Sequence, residues 1–570
     1  MKKIFAILIS ALLLGGCTLE EKVVSSSMPE NFYQTTQQCI VGLNGCYQPL
    51  RNIYGNQNYF DAIEGVSDII YSAATDRVNA ICRYSPTSPE FGATIWTQGY
   101  RGVMRCNAMY AAIERAPLTE SEKAPLLAEC AILRALYYYV LTCNFGDVPY
   151  YTEEVTNDNN YAIVHLPRMS AVDTRDKLID ELIEWLMPTN HPTRPGKEAL
   201  LLQRTYDNEN YRIGAAVGLM VAGKMCMWNK RWVDAIDIYG VLEDIYGNGA
   251  GNPAGALSQY PLSDIPFGKK YTRESIFEIS NTSREYGLQV TGTLASICTP
   301  SRSSDSTEGD ETDVDQIVSS DYYGGIGIPE MGDQQRTQAP LRPTAYYYKT
   351  IMPYVSGSNP TPDMRCAAFP YGSDVTDQVE NTAGNLAWRW KGYAKGNDRT
   401  LVDPIVRWFS GLSKATDRPY LGNKFWCFGM IYNQDSNNFK VFRFAGVLLN
   451  LAEAHLMLNG DMTKACAYLN AVRSRAGLTA LQTSAFEDNN DLLSEIQDES
   501  ARELFGEYCR RHDLVRWGIW YERVMAYSDS SLLKGNIEGR PCFQYYPIPD
   551  TEVVLSDGAL DNNEYNKYGL

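Results

Sequence analysis

The sequence predicts a mainly α fold: a scaffold of tetratricopeptide-like helix pairs interrupted by a loop-rich, mixed lobe. Three observations carry this. Apolar residues recur at helical spacing from Trp96 to Val140 and again from Phe442 to Ala476. These stretches fall into helix-turn-helix pairs, each about 34 to 50 residues long, the period of helical repeats. Between Gly247 and Lys440 the periodicity gives way to Gly, Pro, Ser, Asn and Asp.

At 570 residues the chain exceeds what one core organises, so more than one lobe is expected. The N-terminus reads as a targeting segment. Lys2 and Lys3 precede the apolar run Ile4 to Leu14, which is too short to span a bilayer. Leu14-Gly15-Gly16-Cys17 resembles a bacterial lipobox, with cleavage before Cys17 and lipid on its sulfur. Residues 1–16 are thus read as a signal peptide and 17–35 as a lipidated tether. Glu20, Glu21 and Lys22 resemble the surface-export signal of Bacteroidetes lipoproteins. No later run reaches the length of a membrane-spanning helix.

Residues 36–246 form the N-terminal helical region. Helices are expected over Thr36 to Ile53, from Trp96 up to Pro117, and over Glu122 to Asn144, ended by Gly146 and Pro149. Asp61 to Ala74 is ambiguous. A further helix is expected over Val172 to Met187, with Asp173 and Thr174 as candidate caps. The pair Tyr211 to Asn229 and Trp232 to Tyr246 follows, its Ala and Gly residues suiting close packing. Residues 247–440 read as a loop-rich insert and candidate ligand-binding lobe, with one expected strand over Ser275 to Ser280. Its run from Asp305 to Asp315 is read as a solvated acidic loop, since it lacks the ligand spacing of a calcium hand. Residues 441–570 resume the helices: Phe442 to Leu458, then Thr463 to Ala476 with Gly477 ending it.

The stretch Leu493 to Gly518 is expected to be one amphipathic helix. Leu493, Ile496, Leu504 and Tyr508 share a side, while Glu499, Glu503 and Glu507 stand four apart. Like charges at that spacing repel, and buried carboxylates are costly unless paired with cations. The stripe is therefore expected to clamp the helix to its neighbours.

Catalytic signatures are missing from the sequence. It contains no G-x-S-x-G, H-E-x-x-H or phosphate loop, and its four histidines are widely spaced. The 14 cysteines show no metal-binding spacing, and neither metal nor cofactor is expected. A net charge of −17 makes nucleic acid an unsuitable partner. The 39 tyrosines and 10 tryptophans favour binding. Their rings offer an apolar face, with a polar tip suited to half-wet surfaces. Candidate ligand contacts outside strong helical faces are Trp96, Tyr322, Tyr323, Tyr346 to Tyr348 centred on Tyr347, Trp388, Trp390 and Trp426, with Asp76 and Arg77 as polar candidates. Aromatics are no denser in the insert than the chain-wide 12 %, so composition alone does not place the site.

Five blocks, in order, resemble one family. They are Arg134-Ala135-Leu136 with Tyr138 and Phe145-Gly146 with Val148-Pro149; Arg443 through Ala452-Glu453-Ala454; Ala465 through Asn470, Val472, Arg473, Arg475, Ala476 and Gly477; Glu499, Arg502, Glu503, Leu504, Glu507, Arg510, Asp513, Leu514, Arg516, Trp517 and Gly518; and Pro547-Ile548-Pro549 with the tail from Asn563. Together they resemble the SusD/RagB outer-membrane lipoproteins. Ser500 and Ala501 stand where that signature often has arginine, and Tyr508 where it has glycine. The resemblance implies a fold-locking role for Glu499, Arg502, Glu503, Glu507, Arg510, Asp513, Arg516 and Trp517. It further implies a surface-exposed, lipid-anchored glycan-binding protein of the cell outer membrane that passes its ligand to a SusC-like TonB-dependent transporter. A peptide-binding RagB-like role and, in another class, a glycan-degrading enzyme are the alternatives. The latter needs two opposed carboxylates in a cleft.

Overall fold

Helix α1 (Thr36–Tyr54) starts on a capping box at Thr35 and Gln38 and runs through Gly42, Gly45 and Pro49. Gly42 is needed, because a Cβ there would meet the Tyr33 ring and the Met109 sulfur at 2.6 Å. The computed structural model describes residues 32–200 apart from 56 and 73–91, and residues 212–298 apart from 248–252, 266, 268 and 283–291. It further describes residues 340–352, short stretches between 363 and 425, and residues 434–566.

The ambiguous region after α1 divides into helix α2 (Gln57–Ile63) and strand β1 (Ile70–Ser72). Then come α3 (Ala93–Arg115) and α4 (Glu120–Phe145), as the periodicity predicted. By length and hydropathy α4 would cross a membrane, contrary to the expectation that no later run qualifies, yet its apolar stretch is wholly buried. It is the axis of the scaffold, packed by α1, α3, α5 (Ala171–Leu186) and α6 (Ala215–Asn229). The cap of α5 is Ser170, whose hydroxyl accepts from the Asp173 amide at 3.0 Å; the expected Asp173 and Thr174 lie inside the first turn. α6 pairs with α7 (Trp232–Tyr246) across Lys230, whose φ of +57° turns the chain.

Most of the insert departs and returns through one ribbon, between residues 279 and 439. Strand β2 (Ser275–Ile279) is antiparallel to a strand that ends the insert at Phe439–Arg443. A second ribbon joins β1 to β3 (Leu341–Pro343), with Ser72 opposite Leu341 and Ile70 opposite Pro343. Further on, β4 (Asp377–Glu380), β5 (Leu386–Trp390) and β6 (Ile405–Phe409) make a three-stranded antiparallel sheet with β5 central. The strand Phe439–Arg443 is β7 and leads directly into α8 (Phe444–Asn459), which packs on α7 and on α9 (Met462–Arg475). The three predicted pairs, α3–α4, α6–α7 and α8–α9, are all present.

The C-terminal signature is not one helix. It is α10 (Asn489–Glu503), a turn, and α11 (Arg510–Arg516), followed by α12 (Trp520–Tyr527). Gly506 and Tyr508 adopt φ of +72° and +59°, which a right-handed helix cannot accommodate. Tyr508 occupies the place where the resembled signature has glycine. Its ring is buried among Tyr54, Tyr59, Phe60 and Phe439, and this burial offsets a left-handed penalty of roughly 1–2 kcal/mol. The ten described cysteines are free, and eight are buried as small apolar residues.

Candidate functional site

The carboxylate stripe lies at the junction of scaffold and insert, and its cations come mostly from other elements. Arg443, at the end of β7, is fully enclosed. Its Nε and Nη2 donate to Glu507 at 2.8 and 2.9 Å, and its Nη1 donates to Glu274 at 2.7 Å. Arg475 of α9 bridges Glu274 and Glu503. From within the insert, Arg365 donates to Glu499 at 2.7 Å and to Glu503 at 3.0 Å, while Asp363 grips its other edge. Lys424 reaches Glu507 at 2.5 Å. Of the cations within the signature, Arg502 serves the stripe, donating to Glu499 at 2.8 Å. Burial opposes ionisation of Glu499, Glu503 and Glu507, but the facing cations outweigh it and hold all three below the ordinary carboxylate range.

Arg510 works elsewhere. Its guanidinium clasps Asp68, just before β1, through Nε at 2.7 Å and Nη2 at 2.8 Å. Asp68 also accepts from Arg523 of α12 at 2.9 Å. Arg516 clasps Glu453 of α8 with both Nη atoms and donates from Nε to Asp513 at 2.8 Å, and the Trp517 indole N–H donates to the same Glu453 at 3.0 Å. The signature thus fastens three bodies: the insert through Glu499, Glu503 and Glu507, the β1 segment through Arg510, and the helix pairs through Arg516 and Trp517.

The Arg510–Asp68–Arg523 relay ends on a half-buried aromatic pair that no periodicity announced. Tyr346 and Tyr527 stack at 3.9 Å between centroids and 21° between planes. The Arg523 guanidinium stands 4.9 and 5.0 Å from their centroids and donates to the Tyr346 hydroxyl at 3.0 Å. Tyr346 was a candidate from the sequence; Tyr527 and Arg523 were not, because their partner lies some 180 residues away.

The other candidates fall into three groups. Trp96 and Tyr347 are core residues, at 3 % and 2 % exposure. Trp96 packs edge-on to Phe145, and Tyr347 packs on Phe505, so their rings serve the interior and not a ligand. Trp388 and Trp390 stand on β5, in register with Arg407 and Ile405 of β6. Asp76, Arg77, Tyr322, Tyr323 and Trp426 lie outside the described residues, as do Cys17 and the acidic run 305–315. Of the described residues that flank these segments, Ser72 at the end of β1 stands opposite Leu341 at the start of β3. Among the described residues, no group of three or more His, Cys, Asp or Glu is placed to hold a metal ion.

Comparison with known proteins covers both ends and nearly the whole length. Residues 429–565 match the model of the SusD family, and residues 19–199 match a family described as starch-binding, associating with the outer membrane. SusD-like protein P25 of Formosa agariphila is 22 % identical over 99 % of this chain and 99 % of its own. The starch-binding protein SusD of Bacteroides thetaiotaomicron is 25 % identical over 34 % of this chain and 33 % of its own. Among solved structures, a SusD homolog from Bacteroides thetaiotaomicron superimposes with a TM-score of 0.61 at 18 % identity, covering 92 % of this chain and 98 % of that one. Surface glycan-binding protein A from the same organism, in complex with laminarihexaose, gives 0.58 at 20 % identity, covering 93 % and 99 %.

Proposed function

This chain belongs to the SusD/RagB family, and on that premise we propose that it is a cell-surface glycan-binding lipoprotein that hands oligosaccharide to a SusC-like TonB-dependent transporter. The family is one of non-catalytic carbohydrate-binding proteins associated with the outer membrane, so the chain is a binding protein and not an enzyme. In this reading lipid on Cys17 anchors it, residues 17–35 tether it, and the insert 247–440 presents the ligand-binding face.

The observation that carries the reading is the way the insert is held. Arg365 and Lys424 tie it to the buried carboxylates, while the β1–β3 ribbon sets Ser72 opposite Leu341. A capture surface built this way needs no moving part and no covalent step. Sugar rings stack their C–H faces on aromatic side chains, and fixed polar groups read the hydroxyls. Alanine at Trp388, Trp390 or Trp426, or at Tyr322 and Tyr323 together, is expected to lower retention in polysaccharide affinity gels with melting temperature unchanged. The reading fails if the lipid-modified chain binds no glycan across a starch, laminarin, mannan and pectin panel and loss of its gene leaves glycan uptake unchanged.

A further inference from the structure

One cavity lies away from all of this. It has a volume of about 700 Å³, within the span of roughly 300–1,000 Å³ typical of small-molecule sites. It sits between the N-terminal half of α1 and the C-terminal half of α3. Met109 in its wall is thirteen residues along α3 from Trp96, which at about 1.5 Å per residue places it about 20 Å down the helix.

Its lining is sorted by chemistry. The wall is apolar and firm, with Met109 and Tyr33 pressed against Gly42, where a Cβ would meet both at 2.6 Å. The floor is bare: a Cβ placed on Gly45 would find no atom within 4 Å. The rim is polar and planar. Arg105 donates through Nη1 to the Gly45 carbonyl and to the Gln48 amide oxygen, both at 2.9 Å, leaving Nε and Nη2 without a partner among the described residues. Arg115 and Glu154 form a two-pronged pair at 2.7 and 3.3 Å, offering donors and acceptors side by side. The Glu154 backbone is itself pinned by the Asn159 amide at 2.8 Å.

We infer that this cavity is a second saccharide site, on the scaffold and separate from the insert, seating a di- or trisaccharide. Each sugar hydroxyl is donor and acceptor at once, which the Arg105 edge and the Arg115–Glu154 pair answer. The apolar C–H face of the ring meets the wall of Tyr33 and Met109. A long glycan gripped by the insert would gain a second attachment here, raising retention through effective concentration and not through any new contact at the first site.

The test follows the ¹³C ε-methyl resonance of Met109 in the full chain as maltotriose, laminaritriose, cellotriose, mannotriose and trigalacturonate are added to about 10 mM, a range that detects millimolar dissociation constants. At least one probe is expected to shift it saturably. Gly45→Trp, which fills the floor, is expected to abolish that shift, and Arg105→Ala to weaken it tenfold or more. Retention of Gly45→Trp in polysaccharide gels through the insert is expected to persist, so failure here is distinguishable from failure of the main reading. No saturable shift with any probe overturns the inference, and so does a shift that survives Gly45→Trp unchanged.

Discussion

Arg443 and Glu503 meet twice in a site closed to water: Nη1 lies 2.8 Å from the carboxylate, and Nη2 donates to the Glu503 backbone carbonyl at 2.9 Å. The first contact balances charge. The second satisfies a carbonyl at the end of α10, where the helix leaves its last acceptors open.

Glu503 is the carboxylate on which three arginines converge. Glu503→Ala leaves Arg365, Arg443 and Arg475 short of a counter-charge in a buried place, an error that typically costs about 3–5 kcal/mol. A lower melting temperature is expected, and protease cleavage within residues 247–440 at concentrations the parent chain withstands. Unchanged melting and cleavage would refute the clamp.

The turn after α10 separates two glycine effects. Gly506 has φ of +72°, and a Cβ there would drive into the Phe425 ring; Gly518 has φ of +75° with open space around it. Gly518→Ala is expected to cost only the left-handed penalty, about 1–2 kcal/mol. Gly506→Ala adds overpacking of about 1–3 kcal/mol more. Chemical denaturation of the two variants measures the difference.

At Tyr508 strain and packing oppose each other. Tyr508→Gly removes the left-handed strain but empties an aromatic pocket, a loss of about 3–5 kcal/mol for a large buried ring, so net destabilisation is expected. A stability gain in Tyr508→Gly would show that the ring contributes less than the strain it bears.

Two sets of carboxylates give opposite pH dependence. Burial pushes Asp61 up to about 8 and Glu64 to about 7. Their stabilisation is complete below the unfolded value near 4 and is lost as pH rises toward those values. The paired Glu499, Glu503 and Glu507 are depressed, so theirs is complete above about 4.3 and is lost as pH falls. Asp61→Asn is expected to raise the melting temperature at pH 8 more than at pH 5. An equal change at both values would show that Asp61 is ionised in the folded chain.

The stacked Tyr346 and Tyr527 follow closely on β3, since Tyr346 stands three residues beyond Pro343. If the pair contributes to capture, Tyr527→Ala is expected to weaken glycan affinity by about tenfold, the scale of one aromatic contact of about 1.4 kcal/mol. Calorimetry against the glycan retained by the parent chain measures this.

The helix pairs were legible because a 3.6-residue period survives without knowledge of partners: α3, α4, α8 and α9 lie within a few residues of their expected bounds. The role of Glu503 was legible too, since three buried carboxylates demand cations. Which cations was not, because Arg365, Arg443 and Arg475 are distant in sequence from it. Trp96 and Tyr347 misled for a related reason. A ring at a helix start or in a loop looks available until the packing of Phe145 and Phe505 against it is known. The break within residues 493–518 was hinted at by Gly506 and hidden by Tyr508, a residue that seldom adopts a left-handed backbone.

The antiparallel pairing of β2 with β7 means that the lobe between them enters and exits through adjacent doors. A segment so joined can be transplanted from one relative to another as a cassette, provided the new piece brings bases at Arg365 and Lys424 to meet the waiting helix. Changing the diet of such a protein would then be a matter of exchanging the cassette while the chassis stays as it is.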